Sequence, residues 1–242
     1  MRYTEGRFID SQGRRFFYRS WRPRKARAVF VLFHALGLHS GRYRWFCEEL
    51  SDRGFTCYAV DMHGHGLSDG PRGGTLRGIL SSAEKFLNLV RSKYDGSKLV
   101  VAGHGCGALV ASEVLRPAEA TLVMLAPVHE IEPYSRRIRV LKLMSVFGAR
   151  VKLHHRPLYD ASRIDALLEV EEDNLVVGRA RARLVLGFVN IAKGIASRGA
   201  RPSLIIKDDP SAPASAFAAE VEVIYDPRRE QFPFDSLLGV LY

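Results

Sequence analysis

The sequence predicts an α/β protein built on one mostly parallel sheet, with antiparallel strands at its N-terminal edge and a helical insertion late in the chain. Continuous apolar runs, typical of strands covered on both faces, alternate with segments of helical periodicity. A glycine cluster, Gly103-His104-Gly105-Cys106-Gly107, separates one such strand from one such helix. The alternation stops after residue 127 and resumes near residue 202, which indicates an insertion within one domain.

The predicted elements follow from period-two alternation, buried apolar runs and helical spacing, with glycine and proline at their ends. In chain order they are hairpin strands 3–10 and 14–22 around Ser11-Gln12-Gly13, strand 28–33, a helix through Trp45 and Leu50 that stops at Gly54, strand 56–60, helix 76–94, strand 99–102, a helix to about 116, strand 120–126, and strands 202–206 and 219–225.

We expect residues 1–127 and 199–242 to form one core and residues 128–198 to form a helical cap inserted into it. The insertion carries two or three amphipathic helical patterns and no strong strand pattern. Its position in the chain predicts that it covers the carboxyl ends of the parallel strands, where open α/β sheets bind ligands.

Composition narrows the function classes only a little. The 242 residues carry a net charge of +10, but the basic residues are spread along the chain, so no nucleic-acid site is favoured. No apolar run reaches the roughly 18 residues that a membrane helix needs. The first residues lack the apolar block of a signal peptide, and we therefore expect a cytoplasmic protein.

Two blocks of sequence resemble a known family. His34-Ala-Leu-Gly-Leu-His-Ser-Gly-Arg-Tyr-Arg-Trp45 resembles the H-G-x-G-x-H-S-x-R-Y loop of monoacylglycerol lipases, lysophospholipases and serine aminopeptidase-like hydrolases. Asp61-Met-His-Gly-His-Gly-Leu-Ser-Asp-Gly-Pro-Arg-Gly73 is similar to their D-x-R-G-H-G-x-S-D-G-P-R-G signature. The glycine cluster at 103–107 fills the frame of their nucleophile elbow, G-x-S-x-G. The resemblance covers residues 28–126 and extends more weakly to about Glu230, and it implies the α/β-hydrolase fold.

The same resemblance implies that the catalytic triad is degenerate. The family needs a serine nucleophile, a histidine base and an acid that orients the histidine. The nucleophile position falls on Gly105, and the histidine position falls on Glu230. The acid position falls on Asp208 or Asp209, with the register between them open. Two of the three groups are then absent, so we expect no hydrolysis by the serine mechanism.

The resemblance further implies where a ligand would bind. Leu36 and Cys106 would supply the oxyanion N–H groups, with Ala35 and His104 beside them, although a buried and hydrogen-bonded structural histidine is the preferred interpretation of His104. Backbone N–H groups at a helix N-terminus can also hold a carboxylate or a phosphate. The first hypothesis is therefore a non-catalytic protein that binds a small acyl-containing or anionic ligand, or a protein partner, and needs no cofactor.

Two other hypotheses stay open. An active ester or lipid hydrolase could use a non-standard site built on Glu230 with Asp208 or Asp209, or on Cys106. Alternatively, side chains could fill the pocket and leave a pure interaction protein. An activity screen separates the active enzyme from the other two.

Three further patterns in the sequence bear on binding. The acids and histidines of the block 61–73 lack the spacing of a zinc site, so we expect no metal. The glycines at 103–107 lack the second half of a dinucleotide fingerprint and its acidic partner, so we expect no NAD. The insertion's basic amphipathic pattern, Arg136–Phe147, predicts a helix whose arginines face either solvent or an anionic membrane surface.

Overall fold

The computed structural model describes residues 1–115, 120–127, 134, 137–155, 172–198, 202–207, 221–224 and 238. Within them the strands are β1 (Arg2–Ile9), β2 (Arg15–Arg22), β3 (Ala28–Phe33), β4 (Phe55–Val60), β5 (Leu99–His104), β6 (Thr121–Leu125), β7 (Arg150–Lys152), β8 (Arg179–Arg181), β9 (Leu204–Lys207) and β10 (Val221–Ile224). The helices are α1 (Arg44–Asp52), α2 (Leu76–Lys93), α3 (Cys106–Val114), α4 (Ile138–Val146) and α5 (Ala182–Arg198), and a single 3-10 turn (Ser40–Tyr43) precedes α1.

An eight-stranded sheet with the order β1-β2-β4-β3-β5-β6-β9-β10 forms the centre of the protein. Strand β2 pairs antiparallel with both β1 and β4, whereas the pairs from β4 to β10 are all parallel. The predicted mostly parallel sheet with antiparallel N-terminal strands is therefore confirmed. Strands β3, β4 and β5 are buried along their whole length, as their continuous apolar sequences predict.

The core lies on both faces of the sheet, and β3 shows why. Alternate residues of a strand point to opposite faces, so Val31 and Phe33 join the cluster that includes α2 and α3, while Phe30 and Leu32 join the cluster beneath α1. Each fully buried side chain of this size contributes about 1.5–3 kcal/mol to folding through the hydrophobic effect. The two clusters fix the strand ends that carry the candidate site.

The insertion differs in one respect from the sequence prediction. Between β6 and β9 the structure places α4 and α5, as the helical patterns predict, but also a small antiparallel sheet of β7 and β8. Each of these strands has three residues with one buried residue between two exposed ones. Three residues are too few for the alternation to stand out in sequence, because strand detection needs four to eight. The expected division into core and cap remains a prediction.

No helix among the described residues combines the length and the apolar character that crossing a membrane requires.

Candidate active site

Three loops meet at the carboxyl edge of the parallel strands. Residues 34–41 follow β3, residues 61–74 follow β4, and Gly105 follows β5. Because β4, β3 and β5 are neighbours in the sheet, these loops lie side by side. The two motif blocks and the glycine cluster, distant in sequence, therefore form one region, which we call the strand-end region.

Gly105 forms the sharp turn between β5 and α3. Its backbone has φ 55° and ψ −125°, a combination that glycine adopts readily and other residues adopt only with strain. The Gly105 N–H donates to the Leu125 carbonyl at 2.9 Å, and the Gly105 carbonyl accepts from the Ala108 N–H at 3.0 Å. The predicted elbow geometry is present, and no side chain projects from its apex.

Gly103 and Gly107 have a different role, which is to let β5, α3 and β3 approach one another. A Cβ added to Gly103 would lie 2.0 Å from the Gly107 carbonyl oxygen. A Cβ added to Gly107 would lie 2.3 Å from the Phe33 carbonyl oxygen. Both contacts involve backbone atoms that cannot move aside, so packing alone requires glycine at these two positions.

His104 is held in a buried hydrogen-bond chain. Its Nδ1 lies 2.9 Å from the Tyr43 hydroxyl, which also accepts from the Ala35 N–H at 2.8 Å. Because the hydroxyl accepts from Ala35, its own proton can go to the His104 ring. His104 is 1% exposed, which confirms that it is a buried, hydrogen-bonded histidine. The Ala35 N–H is committed to Tyr43 and is not free to bind a ligand.

Leu36 and Cys106, the predicted oxyanion donors, are both buried in the same core cluster. Each is 1% exposed, and each takes part in an interaction within the protein. Their binding of an anion stays a prediction. The burial of Cys106 is the expected inward packing of a residue at the start of a helix, and it separates the thiol from solvent.

Asp61 joins two of the three loops. Its Oδ1 accepts from the Ser40 N–H at 2.7 Å and from the Ser40 hydroxyl at 2.5 Å, while its Oδ2 accepts from the Leu67 N–H at 2.9 Å. The carboxylate is fully buried, and Arg19 approaches it to 3.7 Å. These contacts give Asp61 a structural role. Across the described residues, no three or more His, Cys, Asp or Glu side chains are grouped so that they could hold a metal ion.

Two residues of the same loops, His34 and His65, have buried imidazole rings. His34 Nε2 accepts from the Met62 N–H at 3.0 Å, and His34 Nδ1 lies 2.9 Å from the Ala35 carbonyl. Burial lowers the pKa of His34 to about 3. Burial likewise lowers the pKa of His65 to about 3, and the two rings lie 5.1 Å apart. Both rings are neutral at pH 7, and both are at most 1% exposed.

Part of the insertion packs directly on the loop after β3. The Val177 N–H donates to the Gly37 carbonyl at 2.8 Å. His39 Nε2 lies 2.8 Å from an Asp173 carboxylate oxygen. Sequence reasoning missed Asp173, since it is 134 residues from His39 and belongs to no motif. It also gave no role to Tyr43, although Tyr43 lies within the first motif block.

The remaining predicted triad positions, Asp208, Asp209 and Glu230, lie outside the described residues. Gly105 is therefore the triad position that the structure describes.

Residues 24–235 match the serine aminopeptidase family, S33. The match covers most of the chain. The chain belongs to the serine aminopeptidase family. The resemblance drawn from the two motif blocks and the elbow is thus confirmed at the level of the family.

Relatives of known name support the same placement. The chain is 32% identical to the monoacylglycerol lipase of Mycolicibacterium smegmatis over 129 residues, which are 51% of this chain and 46% of that protein. It is 27% identical to human monoglyceride lipase over 191 residues, 74% of this chain and 62% of that protein. An uncharacterized Escherichia coli protein, YnbC, is 31% identical over 136 residues, 52% of this chain and 23% of its own length. This member of the serine aminopeptidase family thus spans less than two thirds of each of these relatives.

Solved structures show the fold. A soluble variant of monoglyceride lipase from Saccharomyces cerevisiae, in complex with a substrate analog, has a TM-score of 0.70 at 17% identity and covers 93% of this chain and 85% of that one. A monoacylglycerol lipase of Paleococcus ferrophilus has a TM-score of 0.65 at 23% identity and covers 93% and 88%. The α/β-hydrolase fold predicted from the sequence is confirmed.

Proposed function

We propose that this chain is a catalytically degenerate, monoacylglycerol lipase-like member of its family that binds a small acyl-containing or anionic ligand without hydrolysing it. The observation that carries the proposal is the elbow itself. Its backbone has the geometry of the sharp turn between β5 and α3, while Gly105 at its apex offers no nucleophilic atom. Loss of the nucleophile alone removes most of the rate enhancement of a serine hydrolase, because the triad acts as a unit.

The surrounding residues favour no replacement nucleophile. Cys106 is the nearest reactive side chain by sequence, but it is 1% exposed and lies within α3. A reactive thiol needs partial exposure and a nearby cation or base. The burial that lowers the pKa of His34 and His65 also removes both rings from solvent. An active hydrolase built on Cys106 therefore receives no support.

Two features of the strand-end region support ligand binding: its loops are held by buried hydrogen bonds, and a helix begins there. Asp61 and Tyr43 hold the loops in place through buried hydrogen bonds. The N-terminus of α3 carries the positive end of the helix dipole, which stabilises a nearby anion.

We propose further that the exposed face of α4 binds an anionic membrane surface. Four apolar side chains at its surface, Val140, Leu143, Val146 and Phe147, are 55%, 60%, 79% and 78% exposed. Arg139 and Lys142 are exposed on the same helix, and Arg150 and Lys152 on β7 just beyond it. Apolar side chains interleaved with cations are typical of helices that lie in the interface of an anionic bilayer.

Turnover assays test the proposed loss of catalysis. We expect no hydrolysis of p-nitrophenyl esters or monoacylglycerols above background. The Gly105→Ser variant should also be inactive, since it supplies a nucleophile without a histidine base. Gly105→Ser combined with Glu230→His should give weak esterase activity if the acid is in place. Turnover by the unmodified chain that is lost in Glu230→Gln would replace the proposal with an active enzyme.

Vesicle sedimentation tests the membrane proposal. The chain should bind phosphatidylglycerol vesicles more than phosphatidylcholine vesicles, and salt should weaken the binding. Phe147→Ser and Arg139→Glu should each reduce it, whereas Arg2→Glu, at the far edge of the sheet, is the matched control for the change of charge. Equal binding to both kinds of vesicle would contradict the proposal and leave a protein partner as the occupant of this face.

A further inference from the structure

A cleft of about 570 Å³ lies between the N-terminal turn of α2 and the beginning of α5. We infer that this cleft binds a single-chain amphiphile with an anionic head group, at a site separate from the elbow. None of residues 34–41 or 103–107 lines it. Its size falls within the range of pockets that bind small molecules.

The wall of the cleft is apolar. Leu76 from α2 and Leu184 and Leu186 from α5 line it. Leu184 is 5% exposed, and the other two leucines are half-buried. A Cβ added to Gly187, which also lines the cleft, would lie 2.7 Å from Leu76 Cδ2. The glycine thus lets the leucine lie against α5, and the resulting surface suits an alkyl chain.

The rim of the cleft is cationic. Arg77 borders it from α2, and Arg181 and Arg183 border it from the β8–α5 junction. Among the described residues no acidic side chain lines the cleft, and none of these three guanidinium groups has an ion-pair partner. Guanidinium groups bind carboxylates and phosphates through paired, charge-assisted hydrogen bonds.

The two properties together define the ligand class. A purely polar anion would leave the leucine wall in contact with water, and a neutral alkane would gain no attraction from the three guanidinium groups at the rim. A single alkyl chain that ends in a carboxylate or a phosphate satisfies both surfaces.

Calorimetry with the full chain tests the inference, using laurate and dodecyl phosphate below their critical micelle concentrations and dodecanol below its solubility limit. We expect one molecule of laurate or dodecyl phosphate to bind per chain, and dodecanol to bind at least tenfold more weakly. The better of the two anions identifies the head group as carboxylate or phosphate.

Two variants locate the binding. Arg181→Glu with Arg183→Glu should weaken the binding of both anions at least tenfold, whereas Arg24→Glu with Lys25→Glu, which makes the same change of charge at exposed positions between β2 and β3, should not. Asn190→Trp, at an exposed position that lines the cleft, should obstruct the binding of all three compounds.

Absence of binding, or binding to many equivalent places, would overturn the inference. Tight binding of one molecule that neither variant affects would also overturn it. That last outcome would indicate binding at the elbow, and it would remain consistent with the proposed function.

Discussion

The strand-end region buries polar groups, whereas the exposed face of α4 leaves apolar groups in contact with water. In the strand-end region, Asp61, His34 and His104 are buried and hydrogen-bonded. On α4, apolar side chains as large as Phe147 remain in water. Burying polar groups is costly unless each finds a partner, whereas exposed apolar groups add little to folding. The hydrogen-bonded polar groups of the strand-end region are therefore part of the folded core, whereas the apolar face of α4 adds little to folding and is better explained by binding.

The largest loss of stability is expected at Gly103 in the strand-end region, where two stretches of backbone lie in contact. Gly103→Ala places a Cβ 2.0 Å from the Gly107 carbonyl oxygen, so β5 and α3 must separate. We expect a loss of at least about 3 kcal/mol in the free energy of unfolding, or failure to fold. Urea denaturation measures it. Gly178→Ala, where a Cβ meets nothing within 4 Å, is the matched control and should change stability little.

Acid should weaken the strand-end region through its buried imidazoles. Burial lowers the pKa of both His34 and His65 from 6.5 to about 3. Below pH 6.5 the unfolded chain binds protons that the folded chain does not, so the free energy of unfolding falls as the pH drops towards 3. Between pH 6.5 and pH 5 each histidine should account for about 1–2 kcal/mol.

Chemical denaturation at a series of pH values measures this dependence. His65→Gln should reduce the slope of stability against pH by about one proton. Ser97→Gln, at an exposed position without an ionisable group, should leave the slope unchanged. An unaltered slope in His65→Gln would show that His65 is not held neutral by the fold.

A moderate effect is expected at the apex of the elbow. Gly105→Ser forces a residue with a side chain into φ 55° and ψ −125°. The strain should cost about 1–3 kcal/mol, to be measured by thermal unfolding. Gly105→Ala should cost about the same, because the penalty comes from the backbone and not from the hydroxyl. A variant as stable as the unmodified chain would mean that the turn relaxes easily.

The smallest loss of stability is expected at the C-terminal end of α4. Phe147→Ser removes a side chain that is 78% exposed, so we expect stability to change by at most about 0.5 kcal/mol in the same denaturation experiment. Phe86→Ser, which removes a fully buried phenylalanine of α2, is the contrasting variant and should lose several times more. A large loss for Phe147→Ser would show that the face of α4 serves the fold after all.

Much of the fold could be predicted from the sequence because its signals are local. Each signal can be recognised within a short stretch of sequence, as for the apolar run of β3, the helical spacing of α2 and the glycine cluster. The pair β7 and β8 escaped prediction because each strand has only three residues. The contact of His39 with Asp173 escaped because it depends on how the insertion folds back over the loop.

The candidate site was predictable to the same extent. The elbow turn and the burial of His104 follow from short motifs, and both are present. The separate roles of the glycines are not visible in sequence, since G-x-G-x-G gives no sign that Gly103 and Gly107 serve packing while Gly105 serves the turn. The hydroxyl of Tyr43 as the link between Ala35 and His104 likewise depends on a contact in three dimensions.

The most direct test of the central claim is intact-protein mass spectrometry of the unmodified chain after treatment with a fluorophosphonate. Fluorophosphonates label the activated serine of a working hydrolase, and the elbow of this chain has none to label. We predict no covalent adduct at Gly105 or its neighbours, with human monoglyceride lipase as the reacting control. A stoichiometric adduct on any residue of the strand-end region, accompanied by ester turnover, would contradict the account.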